Sequence, residues 1–491
     1  MAFASLGAQV AGLLGRRGIL PAGVYLDRVR ERGGVGVRAW AERLARLPTL
    51  FWLGAGDGAL RAACSAGIVL SLLLVLGIAP AADLLLLWAL YLSLCVVGRD
   101  FLSFQWDVLL LEAGFLALFL VPWRWLALRP AAEAVPPLAL LLLWWLLCRL
   151  VLQSGVGKLT GGDRAWRDLT ALSYHWWTQP LPAWPAWYAA RLPDGAQRAM
   201  AAAALFLEIP VPFLVFAPGE WRLLGFAGIV LLQLLIALTG NYGFFNLLTV
   251  ALALLLLDDG TWAAVLPGSL VAGGGAAVPA AAGGAARQVA AGVVGAAELV
   301  VGGAHLWRTL RPRAALPRPL ARLVSRVAPW RTINSYGLFR VMTTRRPELV
   351  VEGSRDGTTW RAFAFRHKPG DPVRRPGWVA PHQPRLDWQM WFEALGGFGG
   401  SGWFPAFLSR LLEGSEPVRR LLASSPFGEE PPRFVRTVRY EYRFAGPEER
   451  RATGRWWRRE RAGTHGPAFR LAGTEDPAHG SPQRIVPAGG R

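Results

Sequence analysis

PLALLLLWWLLCRLVLQ, residues 137–153, carries a single formal charge in seventeen positions. A stretch of that length and character approaches the roughly 20 mostly apolar residues that cross a bilayer core. It has company on both sides. IVLSLLLVLGI (68–78) and LLTVALALLLL (247–257) repeat the pattern, and candidate spans fall at 60–78, 84–98, 107–123, 137–153, 200–217, 222–239, 244–257 and 288–306. Prolines 80, 122, 136, 137, 210, 212 and 218 punctuate their ends. Trp123, Trp125, Trp144, Trp145, Trp221 and Trp307 suit aromatic belts at the membrane interfaces. Few soluble cores could use so many apolar runs. The reading is a polytopic α-helical membrane bundle over 1–310, with the lipid bilayer as its first partner.

Composition agrees. Of 491 residues 53% are hydrophobic, and the mean hydropathy is +0.31. The net charge of +20 invites a nucleic-acid reading until the charge is located. Arginines crowd 16–46 and 308–461, on either side of the apolar block, as expected beside anionic headgroups. Zinc spacing, RNA-binding aromatics and helix-turn-helix patterning are missing from the remainder, so no nucleic-acid partner is expected. Only Lys158 and Lys368 among the 53 basic residues are lysines, and Asn occurs only at 241, 246 and 334. That bias, with abundant Ala, Gly, Pro and Arg, points to a GC-rich, bacterial genome. Where Lys or Asn does occur, chemistry becomes a candidate reason for it. Cys64, Cys95 and Cys148 lie far apart inside apolar runs and read as small buried hydrophobes. No metal and no cofactor is expected. The start, MAFASLGAQVAGLLG, lacks a charged leader region and reads as a fragment of a hydrophobic helix.

Within the bundle, 154–198 forms a polar, Trp-rich connection expected to lie along the membrane surface, and 267–288 is an Ala/Gly-rich loop. Beyond Pro312 the periodicity changes. Segments 338–344, 348–353, 358–366 and 433–445 carry β-formers, with a turn signal at Ser354-Arg355-Asp356-Gly357. VRYEYRF (438–444) puts Tyr440, Tyr442 and Phe444 on one face and Arg439, Glu441 and Arg443 on the other. Helices are expected at 387–396 and 403–413. The second unit, 311–446, is therefore soluble, β-rich and β-sandwich-like with short helices, and 447–491 reads as a disordered Arg-rich tail.

Ionisable groups inside membrane spans cost about 2.5–3.5 kcal/mol each on insertion scales, so each needs a reason. Asp107, Glu112, Arg149, Glu208 and Glu298 are such groups, and Gln153 lies one turn from Arg149 on the same helix face. Glu112 or Asp107 is expected to meet Arg149 or Lys158 inside the bundle, as a working polar network or as an ion pair fixing helix register. Lys158 is the one catalytic candidate. A partly desolvated Lys can act as a base where Arg cannot, and the alternative is a snorkelling interfacial cation. In the connection, His175, Trp176 and Gln179 form a candidate functional loop. Asn241 and Asn246 in TGNYGFFN belong to the same candidate functional loop, with a role in binding or in satisfying backbone groups freed where two helices break. Trp388, Trp391 and Trp403, with Phe392, are candidates for an aromatic binding surface or for ordinary core.

Long strings across the chain carry a resemblance. GRDFLSFQWDVLLLEAGFLALF (98–119), SGVGKLTGGDRAWRDLTALSYHWWTQPLPAWPAWYAARLP (154–193), ALTGNYGFFNLLTVALALLLLDD (237–259), INSYGLFRVMTTRRPELVVEGSRDGTTWRAFAFRHKPG (333–370), PHQPRLDWQMWFEALG (381–396) and FVRTVRYEYRFA (434–445) resemble, in order, the lipase maturation factor family. The resemblance implies a multi-pass membrane protein that helps secreted lipases, or other exported clients, reach an active fold by binding them rather than by catalysis. It implies an endoplasmic-reticulum setting for eukaryotic relatives and the cytoplasmic membrane for a bacterial one. The early helices and SGVGKL are more distantly similar to the transmembrane domain of vitamin K-dependent carboxylases. That similarity implies an alternative, a membrane enzyme using Lys158 as base on a quinone-like or lipid substrate.

Overall fold

The computed structural model describes residues 1–491 except 33, 35, 128–135, 268–283, 429, 474–479 and 489–491. Four short helices open the chain: α1 (Ala2–Gly7), α2 (Val10–Leu14), α3 (Ala22–Arg32) and α4 (Val37–Arg46). The bundle follows as α5 (Asp57–Val75), α6 (Pro80–Gly98), α7 (Gln105–Ala117) and α8 (Pro137–Thr160). The Trp-rich connection carries α9 (Arg164–Arg167), α10 (Ala171–Thr178) and α11 (Pro185–Ala189). Then come α12 (Asp194–Glu208), α13 (Gly219–Thr239), α14 (Phe245–Leu254), α15 (Asp259–Val265), α16 (Gly284–Ala297) and α17 (Gly303–Leu310).

Among the described residues six helices are long and apolar enough to cross a membrane: 57–75, 80–102, 137–160, 194–216, 219–239 and 285–310. The protein is a multi-pass membrane protein. Two expected spans differ. The 107–123 run forms only the 13-residue α7, about 20 Å at 1.5 Å per residue against a core of roughly 30 Å, and it is buried against α6 and α8. The 244–257 run forms only the ten-residue α14, which turns by 109° into α15 just beyond it, so that the two make a bent pair rather than one straight span. α8 is the hub. Its burial is the deepest of the six, and it packs against α7, α12, α14, α16 and α17. Small residues set those approaches: a Cβ on Gly155 would lie 2.7 Å from Glu208 Cβ, and one on Gly161 would lie 2.7 Å from Arg340 O.

The C-terminal unit follows the amphipathic α18 (Arg318–Val327). Its strands are β1 (Pro347–Ser354), β2 (Arg361–Ala362), β3 (Ala364–Phe365), β4 (Leu422–Ser424), β5 (Phe434–Phe444), β6 (Trp457–Thr464), β7 (Phe469–Leu471) and β8 (Ile485–Pro487). β1, β2, β5, β7 and β8 pair in the order β2-β1-β5-β7-β8, with β6 on β5, all antiparallel; β3 and β4 form a separate pair. In the β1–β5 register Val350 faces Val438 and Leu349 faces Arg439. α19 (Arg385–Leu395) packs on β1, and α20 (Trp403–Leu412), α21 (Glu416–Arg419) and α22 (Pro447–Thr453) complete the unit.

Three sequence expectations need correction here. Residues 338–344 are not a strand, because their backbone is drawn into the bundle: Met342 N donates to Asp163 Oδ2 at 2.5 Å. The 447–491 segment is not a loose tail over its described length. It supplies α22 and three strands, anchored by buried Trp456 and Trp457 packed on Trp187 and Tyr442. The 154–198 connection does not lie bare along the membrane. Its first residues finish α8, and the rest is wedged beneath the C-terminal unit with Trp166, Trp176 and Trp187 buried. The expected 267–288 loop lies outside the described residues except at its ends, where α16 begins at Gly284.

Candidate functional site

The intramembrane charges are not spread through the bundle. Glu112 and Arg149 converge on the backbone of the C-terminal unit, Asp107 meets its Arg385, and Lys158 pairs with Glu208. Glu112 on α7 and Arg149 on α8, both fully buried, form an ion pair, and Arg149 Nη2 also reaches Glu298 Oε2 at 2.9 Å. The guanidinium lies against Gly302, where a Cβ would come within 3.0 Å of Nε. Arg149 Nη1 then donates to Asn334 O at 2.9 Å. Glu112 Oε2 accepts from Asn334 N at 2.7 Å, from Asn334 Nδ2 at 2.9 Å and from the Tyr336 hydroxyl at 2.8 Å. One turn along α8, Gln153 Oε1 accepts from Tyr336 N at 3.0 Å, and Gln105 Oε1 accepts from Gly337 N at 3.1 Å. Residues 334–342 thus form non-helical chain held at bundle depth by side-chain acceptors. Backbone lacking regular structure is tolerated there only when protein satisfies it.

Asp107 does not meet Arg149 or Lys158. Arg385 of α19 reaches down to it, with Nη1–Oδ2 at 2.9 Å and Nη2–Oδ1 at 2.7 Å, a two-pronged match of guanidinium to carboxylate. Tyr91 donates to the same carboxylate at 2.6 Å, and Arg385 also donates to Phe101 O at 2.6 Å. Lys158 instead faces Glu208 of α12, at 2.6 and 2.5 Å from its two oxygens, with the Trp166 ring 5.1 Å away. Of the pairings expected from sequence, the structure brings together Glu112 with Arg149. Lys158 and Asp107 take partners that were not anticipated.

The candidate loop residues join the same seam. Asn241, where α13 ends, donates to Leu181 O and Gly377 O at 3.1 and 2.9 Å, and accepts from Val379 N and Ala380 N at 2.6 and 3.1 Å. Asn246 bonds the Gln233 side chain at 2.9 Å. Gln179 accepts from the Tyr242 hydroxyl at 2.8 Å, and Trp176 donates to Gln197 at 3.1 Å. His175 packs edge-on to Phe339, its Nδ1 buried with no protein partner; burial, then the nearby Lys158 charge, pushes it down to about 4. Beside it a cavity of about 110 Å³ is lined by Lys158, Glu208, Gln233 and Tyr242 among apolar side chains.

Trp388, Trp391 and Trp403 are not client-facing surface. They are 3%, 7% and 1% exposed; Trp388 packs on Trp106, Trp403 on Phe101, and Trp391 donates to Thr178 O at 3.0 Å. They are the apolar half of the same joint. Sequence reasoning gave no site role to Arg385, Asn334, Tyr336 or the buried trio Arg346–Glu348–Lys368, in which Glu348 lies 2.7 Å from Arg346 and 2.8 Å from Lys368. Arg346 also donates to Trp177 O and Pro180 O, both at 2.8 Å. The rarity of Asn and Lys could have flagged Asn334 and Lys368. Nothing separates Arg346 and Arg385 from the many other arginines in the sequence.

The two halves joined by this seam match known family models in the same order. The model of the lipase maturation factor transmembrane domain covers residues 1–264, and that of the lipase maturation factor C-terminal domain covers 332–467. The chain belongs to the lipase maturation factor family. It is 38% identical to Lipase maturation factor 2 of Homo sapiens over 94% of this chain and 79% of that protein. With Lipase maturation factor 1 of Bos taurus the identity is 34% over 93% of this chain and 84% of that protein. No solved structure matches. In this chain, Asn334, Tyr336 and Arg385 belong to the C-terminal domain, and the groups that bind them belong to the transmembrane domain. Glu298 falls between the two matched regions, on the last span.

Proposed function

We propose that this chain is a membrane-anchored maturation factor that assists the folding or assembly of exported proteins of the lipase class. The observation that carries the reading is the likeness to proteins named as lipase maturation factors along nearly the whole chain, through both domains. The mode of action is binding. Asp107, Glu112, Arg149 and Lys158 each have an internal partner at hydrogen-bonding distance, so the residues most suited to chemistry hold the molecule together. The membrane part anchors and fixes the C-terminal domain, which meets the client on the non-cytosolic face. For a bacterial chain, which the arginine-over-lysine bias favours, that membrane is the cytoplasmic one.

With the three tryptophans interior, client contact falls to apolar residues left in the open on the C-terminal domain. Phe392 and Leu395, 45% and 39% exposed, sit one turn apart near the end of α19, just before GGFGG (396–400). The test is a deletion strain of the host complemented by wild type or by Phe392→Ser/Leu395→Ser. The deletion should secrete lipase of reduced specific activity, wild type should restore it, and the double variant should restore it only in part. Secreted lipase of normal specific activity in the deletion strain would overturn the reading.

A further inference from the structure

The cavity beside Lys158 lies where the bundle meets the Trp-rich connection, walled by α8, α10, α12, α13 and α14. Most of its lining is hydrocarbon, including Leu150, Val151, Leu232, Ile236 and Phe245. Its polar groups divide into spent and unspent. Ser154 donates to Leu150 O, Thr249 to Phe245 O and Tyr242 to Gln179. Lys158 and Glu208 neutralise each other. One group keeps unused capacity: the His175 ring, whose Nδ1 is buried with no partner among the described residues, while the Gln233 side-chain oxygen takes the Asn246 N–H.

A buried polar atom without a partner is costly, and a wall of hydrocarbon holding one such group beside a buried ion pair suits an amphiphile. We infer that this cavity is a binding site for a neutral acyl lipid, whose carbonyl or hydroxyl head meets His175 while its first carbons lie against the apolar wall. Charge argues for neutrality. The site already holds one cation and one anion in contact, and an ionised head would arrive with no counter-charge in a low-dielectric interior. Size limits what enters. An engineered cavity of about 150 Å³ takes up benzene, so about 110 Å³ accommodates the head and the first few carbons. The rest of the chain runs out toward lipid past α12 and α13, whose outer faces expose Phe206, Leu231 and Leu235. The inference does not rest on the client reading, because binding is measured on the purified protein with no lipase present.

The test uses full-length protein in detergent, titrated with 1-monooleoylglycerol and read by thermal unfolding midpoint and by native mass spectrometry. The expected result is a saturable rise in midpoint with one retained molecule, and no such rise with oleate at pH 8. Ala204→Phe, which fills the cavity from α12, should fold and lose the retained molecule. His175→Phe keeps the ring packing and removes the nitrogens; it should bind about tenfold more weakly, as for one lost hydrogen bond. Retention by Ala204→Phe equal to wild type would place the lipid on the outer surface and overturn the proposal. So would a wild-type protein that holds no molecule at saturating lipid, which would make the cavity a pocket for water. Should Ala204→Phe fail to fold, the wild-type adduct and its weakening in His175→Phe decide.

Discussion

Lys158 and Lys368 are the chain's two lysines, and each is buried against a carboxylate, Glu208 at 2.5 Å and Glu348 at 2.8 Å. For such pairs magnitude matters more than presence. A buried ion pair contributes little net stability over a well-packed apolar replacement, whereas removing one partner strands the other at a cost of about 3–5 kcal/mol. Lys158→Met is therefore expected to destabilise the protein by about 3–5 kcal/mol in detergent unfolding, and Lys158→Met/Glu208→Leu to recover much of that loss. A single variant as unstable as expected whose double shows no recovery would remove the ion pair from the account. Asp107→Asn, which leaves the Arg385 guanidinium uncompensated, should cost a similar amount. His175 gives a pH dependence. Its folded value is lowered, so the unfolded chain takes up the proton first, and stability contributed by the neutral ring is lost as pH falls from about 6.5 toward 4. His175→Phe should flatten that part of the acid-unfolding profile, read as midpoint against pH.

At the scale of elements, α8 shows how a helix can be apolar enough to span and still carry a polar edge. Arg149, Gln153 and Lys158 follow one another along it, each facing a different partner, and Gly155, Gly157 and Gly161 let α12 and the 337–340 chain come close. Gly155→Leu should push α12 away, since its Cβ would already lie 2.7 Å from that of Glu208; overpacking of this kind costs about 1–3 kcal/mol. Cysteine crosslinking between α8 and α12 would report the displacement. The spans were legible because greasy runs of bilayer length have no other use. α7 was misjudged because hydropathy measures composition and not whether the helix continues. The strands around β1 and β5 were legible from alternation, but 338–344 was not: its β-forming side chains say nothing of Asp163 waiting to take the Met342 amide, or of Gln153 and Gln105 taking those of Tyr336 and Gly337 just before it.

For the whole molecule, the seam turns two sequence-separable domains into one body. The transmembrane domain presents acceptors and donors, and the C-terminal domain answers with backbone at 334–342 and 377–380 and with Arg385. A C-terminal domain held this way keeps one orientation on the membrane bundle, which suits the binding role proposed for it. Sequence could expose the polar residues as expensive and therefore purposeful. It could not say that their partners in the C-terminal domain lay some 180 to 280 residues downstream, because arginines such as Arg385 are indistinguishable by composition in so arginine-rich a chain. The amides of Asn334, Tyr336, Gly337 and Met342 belong to no helix or strand, and only bundle side chains hold them. Hydrogen–deuterium exchange of the full-length protein in nanodiscs reads them directly. Protection as slow as that of the α8 core is the expected result; exchange at the rate of a free linker would contradict the seam.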